Sequence, residues 1–242
     1  MTRVRAMILA AGRGERLRPL TDTVPKPLVR VNGRALIDYA IDSCRDAGIT
    51  DVIVNLHHFG DQIRGHVGDG SAHGVHVSYS EEPALRGSGG GILQARAMLG
   101  DDTFVTLNAD TIIAIDLERV IAAHRARRAA ATLVLRKDPR MERFGVIRLE
   151  TDDRVGVFLD TRRPGAVEPL EPFMYTGVQV LEPTVFSYMP TGSAPFSVTE
   201  LTYPAMLRAG EPIHGYRFEG TWITVGTPEE LAAAERELAT GR

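Results

Sequence analysis

From residue 4 to residue 136, short apolar runs alternate with helix-patterned stretches, and this rhythm constrains the fold more than any other feature of the chain. VRAMILA (4–10) reads as a buried strand that ends in a glycine-rich turn. In residues 34–47, Leu36, Ile37, Ala40, Ile41 and Cys44 fall at helical spacing, and Gly48 stops the pattern. DVIVNL (51–56), VHVSY (75–79), TFVTLN (103–108) and AATLVLR (130–136) read as further strands. Helical stretches lie between them: a short one in FGDQIRGHV, GGILQARAML at 90–99 and LERVIAAHRARR at 117–128. Strands separated by helices of about ten residues need crossover connections, which imply right-handed βαβ units and a mostly parallel sheet. The expected class is α/β.

After about residue 138 the rhythm changes. FGVIRLE (144–150) and RVGVFLD (154–160) flank a short turn and resemble a hairpin, and MYTGVQVL (174–181) is a later strand. Residues 198–209 and 228–239 are expected to be helices, the second opened by Pro228, Glu229 and Glu230. No linker, repeat or charge block divides the 242 residues, a length that suits one large domain. The net charge of −3 excludes a general nucleic-acid binder. No apolar run approaches the roughly 18 residues of a membrane span. Cys44 is the single cysteine, which leaves no internal disulfide and no cysteine-rich metal site. The N-terminus lacks the pattern of a secretory signal, and a reducing, cytoplasmic setting is the expectation. Lys26 and Lys137 are the only lysines among 28 Lys and Arg residues, which raises the question of what each is for.

Four segments carry chemistry. In the first, Leu9, Ala10, Ala11, Gly12 and Gly14 form a small-residue turn after a strand, followed by Arg16 and Arg18. Small residues let the backbone approach a ligand, successive amides can cradle phosphate, and guanidinium forks match phosphate oxygens. The spacing is neither a dinucleotide fingerprint nor a Walker A loop, and by itself it fits a tight strand–loop turn better than a ligand site. In the second, Lys26 lies between Pro25 and Pro27, where a stiff backbone can aim a compact ammonium. In the third, four glycines fall within the five residues 87–91, beside Ser88, and open a helix. In the fourth, Asn108 and Asp110 follow a buried strand at the edge of the sheet where such folds bind ligands. A carboxylate there suits a Mg²⁺ ion shared with substrate phosphates, or a helix cap.

The run from Leu9 to Thr21, together with Pro25–Lys26–Pro27–Leu28, resembles the sugar-1-phosphate nucleotidyltransferases over nearly the whole chain. The resemblance implies a Rossmann-like three-layer α/β sandwich. It implies a single nucleotidyltransferase domain over 1–242, with a nucleotide-binding half at about 1–111 and a sugar-binding half at about 112–242. The implied reaction joins an NTP to a sugar 1-phosphate, releasing pyrophosphate, with Mg²⁺. By the same resemblance Arg16 and Lys26 hold phosphates, Asp110 holds the metal, and Leu9, Ala10, Ala11, Gly12, Gly14, Gly87 and Ser88 bind the nucleotide. Asn108, Gly145 of Phe144–Gly145–Val146, and Thr176 of Tyr175–Thr176–Gly177 fall on the sugar side. Among branches, the glycine-rich phrase at 87–92 looks most like the uridylyltransferases of N-acetylmuramic acid 1-phosphate. The guanylyl- and thymidylyltransferases of other sugars are close, and a cytidylyltransferase for a non-sugar phosphate is a more distant alternative. An acyltransferase extension found in some members is not expected here.

Two departures bear on activity. The family's Glu-Lys-Pro is replaced by the stretch Leu159 to Pro164, so sugar contacts are not carried over there. The family's Trp-x-Asp-x-Gly-Thr, whose Asp is a second metal ligand, reads Trp222–Ile223–Thr224–Val225–Gly226–Thr227. A neutral hydroxyl is a poorer Mg²⁺ ligand than a carboxylate. Thr224 therefore leaves three readings open: an active enzyme using Asp110, water and phosphates; a non-catalytic nucleotide-binding homologue; or a directed exchange that traps substrate. No zinc-spaced histidines and no Gly-x-Ser-x-Gly elbow are present. Arg125, Arg127 and Arg128 are expected on a solvated helix face, and Lys137 at the surface.

Overall fold

The computed structural model describes residues 4–192 and 194–239. Its strands in chain order are β1 (Arg5–Leu9), the short β2 (Arg30–Val31) and β3 (Arg34–Ala35), β4 (Asp51–Leu56), β5 (His76–Glu81), β6 (Phe104–Asn108), β7 (Thr111–Ile113) and β8 (Ala131–Arg136). They continue with β9 (Val146–Leu149), β10 (Val155–Phe158), β11 (Thr161–Arg162), β12 (Glu171–Leu181), β13 (Ile213–Arg217) and β14 (Trp222–Thr224). The helices are α1 (Leu36–Asp46), α2 (Gly60–Val67), α3 (Gly87–Gln94), α4 (Arg96–Leu99), α5 (Leu117–Arg127), α6 (Met141–Phe144), α7 (Tyr203–Arg208) and α8 (Pro228–Ala239).

The expected alternation holds through β8. β1 pairs in parallel with β4 on one side and β6 on the other, and β4 pairs in parallel with β5. The chain thus runs outward from β1 through β4 to β5, then returns across β1 to form β6. That reversal creates a crevice between the carboxyl ends of β1 and β6, where open α/β sheets bind ligands.

β1 alternates its faces as a strand buried on both sides must. Ala6 and Ile8 meet Ile37, Ile41 and Cys44 of α1 on one face. Met7 meets Ile92, Ala95 and Leu99 of the α3–α4 segment on the other. The result is three layers, helix–sheet–helix. Each fully buried Ile or Leu contributes on the order of 1.5–3 kcal/mol. Burial also pushes the Cys44 thiol up to about 12, so it acts as a small apolar side chain.

β12 joins the two halves. β8 runs along one of its edges, pairing at Met174–Tyr175 and again at Gln179–Leu181. Its other edge is divided: residues 171–174 take β9 and residues 178–181 take β6, all antiparallel. Between the two the ladder breaks at Thr176–Gly177, where Gly177 has φ +91°. The second half is therefore antiparallel around β12, save for the parallel pair β8–β13. The expected hairpin forms as β9–β10. β14 pairs with β7 outside the main sheet, placing Thr224 opposite Thr111.

Two local expectations are corrected. The helix expected over 198–209 is a π-type turn at Val198–Thr202 followed by α7. Arg127 is half-buried rather than fully solvated: it bonds Asp153 at 2.6 Å and the Gly215 carbonyl at 3.0 Å, tying α5 to the strand beyond β8. Lys137 is exposed and pairs with Glu171. No helix among the described residues is long and apolar enough to cross a membrane.

His124 of α5 is 1% exposed, with one ring nitrogen 2.9 Å from Thr132 Oγ1 and the other 3.0 Å from Glu182 Oε1. Burial holds its pKa below the usual histidine value, with Glu182 pulling the other way. The native state therefore resists a proton that the unfolded chain accepts. Its contribution to stability is complete above about pH 6.5 and is lost as pH falls through the depressed native pKa. Thermal unfolding between pH 7.5 and 5.5 should show a smaller drop in midpoint for His124→Gln than for the wild type.

Candidate functional site

The crevice between β1 and β6 holds a cavity of about 270 Å³. Its walls come from the ends of successive strands: Leu9, Ala10, Ala11 and Gly12 after β1, Asn55 from β4, Glu82 just beyond β5, and Asn108 to Asp110 after β6. Lys26, Gly87 and Ser88 close it. A second cavity of about 390 Å³ adjoins it, and Asn108 and Asp110 line both. The second cavity opens where the divided edge of β12 leaves a gap between β6 and β9. Thr176 and Gly177 line it at the break, with Gly145 at the start of β9 and Arg16, Trp222 and Thr224 around it.

The Lys26 ammonium pairs with Asp110 Oδ2 where the cavities meet. Its residue is only 9% exposed, and Pro25 and Pro27 beside it are buried. Asp110 Oδ1 accepts from the Thr111 hydroxyl at 3.3 Å. Asp110 is one-third exposed at the side chain, so it keeps access to a ligand. Arg16 is exposed and makes no ion pair among the described residues. Its guanidinium lies against Gly226, where an added Cβ would come within 3.0 Å of Nη2.

Gly14 is not a wall of either cavity. It has φ +66°, and a Cβ there would lie 2.9 Å from Lys26 Cβ and 3.0 Å from Thr21 Cγ2. Its carbonyl also accepts from the Thr21 hydroxyl at 2.8 Å. Gly14 thus acts through Lys26, permitting the loop to pack on the lysine stem. Thr176 lines the second cavity, but its hydroxyl is committed to the Val134 carbonyl at 2.9 Å. The Ala10 amide is likewise taken, by Asn55 Oδ1 at 2.7 Å. Ala11 and Gly12 are left as the amides of this turn without a partner among the described residues.

Asn55 lies outside the motifs and Glu82 opens the segment that leads into the glycine loop; both are cavity residues without a role assigned from sequence. Both are buried, and they form one chain: Asn55 Nδ2 donates to Glu82 Oε1 at 2.6 Å, and Glu82 Oε2 accepts from the Arg86 amide at 3.0 Å. This chain ties the β1 turn to the glycine loop. The available signal was position, since a polar residue at the carboxyl end of a parallel strand is placed to face ligand. The glycines of α3 serve close packing as well as access. A Cβ on Gly91 would strike Glu82 and Asn55, and one on Gly87 would lie 2.5 Å from the Phe196 carbonyl. Residues 196–198 are stitched to this loop by Gly89 N to Phe196 O at 3.0 Å and Val198 N to Ser88 Oγ at 3.1 Å.

Gly145 has φ +88°, and a Cβ there would come within 2.5 Å of Leu159, itself at φ +51°. Gly145 adopts this conformation at no steric cost, whereas Leu159 is a non-glycine residue at positive φ, and both line the second cavity.

A family profile for nucleotidyl transferases matches residues 5–241. The chain belongs to that family. An N-acetylmuramate α-1-phosphate uridylyltransferase of Neisseria meningitidis is 37% identical over 240 residues, covering 96% of this chain and 97% of that protein. A UTP–glucose-1-phosphate uridylyltransferase of Synechocystis is 30% identical and a mannose-1-phosphate guanylyltransferase of Mycobacterium tuberculosis 33% identical. The chain spans 60% and 65% of the length of these two longer relatives. A crystal structure of a UDP-glucose pyrophosphorylase with UDP-glucose superposes with a TM-score of 0.81 at 20% identity, covering 99% of each chain. HddC from Yersinia pseudotuberculosis with GMP-PN gives 0.79 at 21%, covering 98% of this chain and all of that one. The Rossmann-like three-layer architecture is shared with these structures.

Gly14→Ala should lower affinity for a nucleoside triphosphate about tenfold while shifting the melting midpoint by only a few degrees. An alanine in the left-handed region costs roughly 1–2 kcal/mol, and the added Cβ pushes on Lys26. Titration calorimetry and thermal unfolding measure the two effects.

Proposed function

We propose that the chain joins a nucleoside triphosphate to a sugar 1-phosphate, forming a nucleotide sugar and pyrophosphate. The observation that carries this reading is the Lys26–Asp110 pair at the point where the cavity at the β1–β6 switch meets the cavity beside β12. Two substrates seated in adjoining cavities would meet at that pair. The sugar phosphate oxygen would bond to the α-phosphorus in line as the bond to the bridging oxygen of the leaving pyrophosphate breaks. Such a transfer needs positioning and charge neutralisation more than covalent help.

Lys26 would place its ammonium against the reacting phosphates, leaving Asp110 as ligands arrive. The free amides of Ala11 and Gly12 would donate to phosphate oxygens, and Arg16 would hold the departing pair of phosphates. Gly87 and Ser88 would face the base, and Asn108, Gly145 and Thr176 the sugar, Thr176 by its backbone. Asp110 and the Thr111 and Thr224 hydroxyls offer hard oxygen donors that fit a Mg²⁺ ion held mainly by phosphates and water. Among the described residues no three His, Cys, Asp or Glu side chains form a metal cage. When bound, the ion would neutralise phosphate charge. The setting we propose is cytoplasmic, where both substrate classes are made. The Neisseria relative of matching length makes UTP the first nucleotide to assay and puts N-acetylmuramate 1-phosphate in the sugar panel.

Pyrophosphate release across four NTPs and a panel of sugar 1-phosphates tests the reading. Turnover is expected with at least one pair, and no turnover with any pair by folded protein would overturn it. Lys26→Ala should cut turnover by a factor of about 100 or more while the fold persists, because Asp110 can turn to water. An unchanged rate would reduce Lys26 to a turn residue.

Thr224 supports a second reading, that of a nucleotide-binding homologue with impaired chemistry. Thr224 stands opposite Thr111, one residue from Asp110, so the chain presents one carboxylate there. Under this reading UTP binds without turnover, and Thr224→Asp gains pyrophosphate release. Under the first, the wild type already turns over.

A further inference from the structure

The cavity beside β12 has an uneven charge. Its charged lining residues are Arg16, Asp110 and Glu200. Asp110 is matched by Lys26, and Arg16 is assigned above to phosphates. Glu200 is exposed at the cavity's edge, has no ion-pair or hydrogen-bond partner among the described residues, and belongs to no motif.

The backbone around Glu200 is firmly placed. It sits in the π-type turn Val198–Thr202, a wide turn that often marks functional sites. One end of that turn is stitched to the glycine loop through Ser88. The other end leads into Tyr203, whose buried hydroxyl donates to Gln179 Oε1 on β12. Gln179 Oε1 also accepts from Tyr175, a wall of the same cavity, at 2.6 Å, and Gln179 Nε2 donates to Thr106 at 2.6 Å. The turn is thereby anchored to both substrate cavities.

The nearby wall is aromatic: Phe144 and Trp222 meet edge-to-face at 5.6 Å. The guanidiniums against this wall, those of Arg136, Arg140 and Arg143, do not line the cavity and are paired with carboxylates. Arg136 and Arg140 stack on Trp222 and pair with Asp138, while Arg143 pairs with Glu230 at 2.9 Å.

We propose that this cavity selects a sugar 1-phosphate whose sugar carries no acidic group, and that Glu200 enforces the choice. The proposal rests on the nucleotidyltransferase reading and narrows its substrate class. An ionised carboxylate only accepts hydrogen bonds, and sugar hydroxyls or an amine supply donors to it. A sugar carboxylate would bring further acceptors and a like charge, and Arg16, assigned to phosphate, is the one cation among the lining residues. The selected sugar thus differs from that of the N-acetylmuramate relatives, whose sugar bears a lactyl carboxylate.

The test compares two pairs of sugar 1-phosphates, with the NTP that supports turnover. Glucose and glucuronate 1-phosphate differ only at C6, and N-acetylglucosamine and N-acetylmuramate 1-phosphate differ by the lactyl group. In each pair the neutral sugar should have the higher kcat/KM, by about tenfold or more. The near-isosteric Glu200→Gln should shrink that ratio, chiefly by improving the acidic sugar. An acidic sugar used as well as its neutral partner by the wild type would overturn the proposal, as would a ratio unmoved in Glu200→Gln. Calorimetric titration of the same four compounds reads the preference without turnover. If nothing turns over but the neutral sugars bind more tightly, the catalytic reading fails and the charge selection stands. Equal or tighter binding of the acidic sugars overturns the charge selection by itself.

Discussion

β12 must serve two neighbours along one edge, and most of the architecture around the site follows from that constraint. A strand of 11 residues is long enough to pair with β9 at its start and β6 at its end while β8 runs along the opposite side. The two neighbours belong to different halves of the chain and cannot merge into one ladder. The edge therefore breaks at Thr176–Gly177, and the break becomes a cavity. Gly177 suits this place because it takes φ +91° and because any Cβ would collide with Asn108. The gap that the break leaves between β6 and β9 is where the second cavity opens beside Asp110.

The second organising element is the buried polar chain Ala10–Asn55–Glu82–Arg86. Buried polar groups persist where each is satisfied; here Asn55 on β4 bonds the β1 turn and Glu82, and Glu82 closes its own loop onto the Arg86 amide. The β1 turn, the end of β4 and the glycine loop are held at fixed spacing. Lys26 is aimed by a proline-flanked backbone and by the packing of Gly14 on its stem. Rigidity of this kind suits phosphoryl transfer, in which small displacements of the reacting groups are costly.

The parallel half was legible because its signals are local. Apolar runs, helical spacing and glycine stops decided β1, α1, β4, β6, α5 and β8 to within about three residues. The small-residue turn after β1, Lys26 between prolines and Asp110 after β6 could also be read, since each depends on neighbours in sequence. Less legible was anything that depends on pairing at a distance. Arg127 looked like a surface residue because its partners, Asp153 and Gly215, are far along the chain. The π-type turn at 198–202 read as ordinary helix because its apolar spacing is nearly helical. Asn55 and Glu200 carry no motif, and only their places on cavity walls distinguish them.

The amino-acid sequence by itself determined the βαβ order, and with it the crevice at the ends of β1 and β6, because a right-handed crossover leaves little choice of topology. It also marked Arg16, Lys26 and Asp110 as candidates for phosphate chemistry, and it displayed the neutral Thr224 where a second carboxylate was expected. The tertiary structure decided the rest. It brought Lys26 onto Asp110 across 84 residues, directed the hydroxyl of Thr176 into the core, and set Glu200 on the wall of the second cavity without an ion-pair partner among the described residues. These outcomes depend on which strands share an edge of β12, and edge sharing is settled by packing over the whole chain rather than by any local pattern.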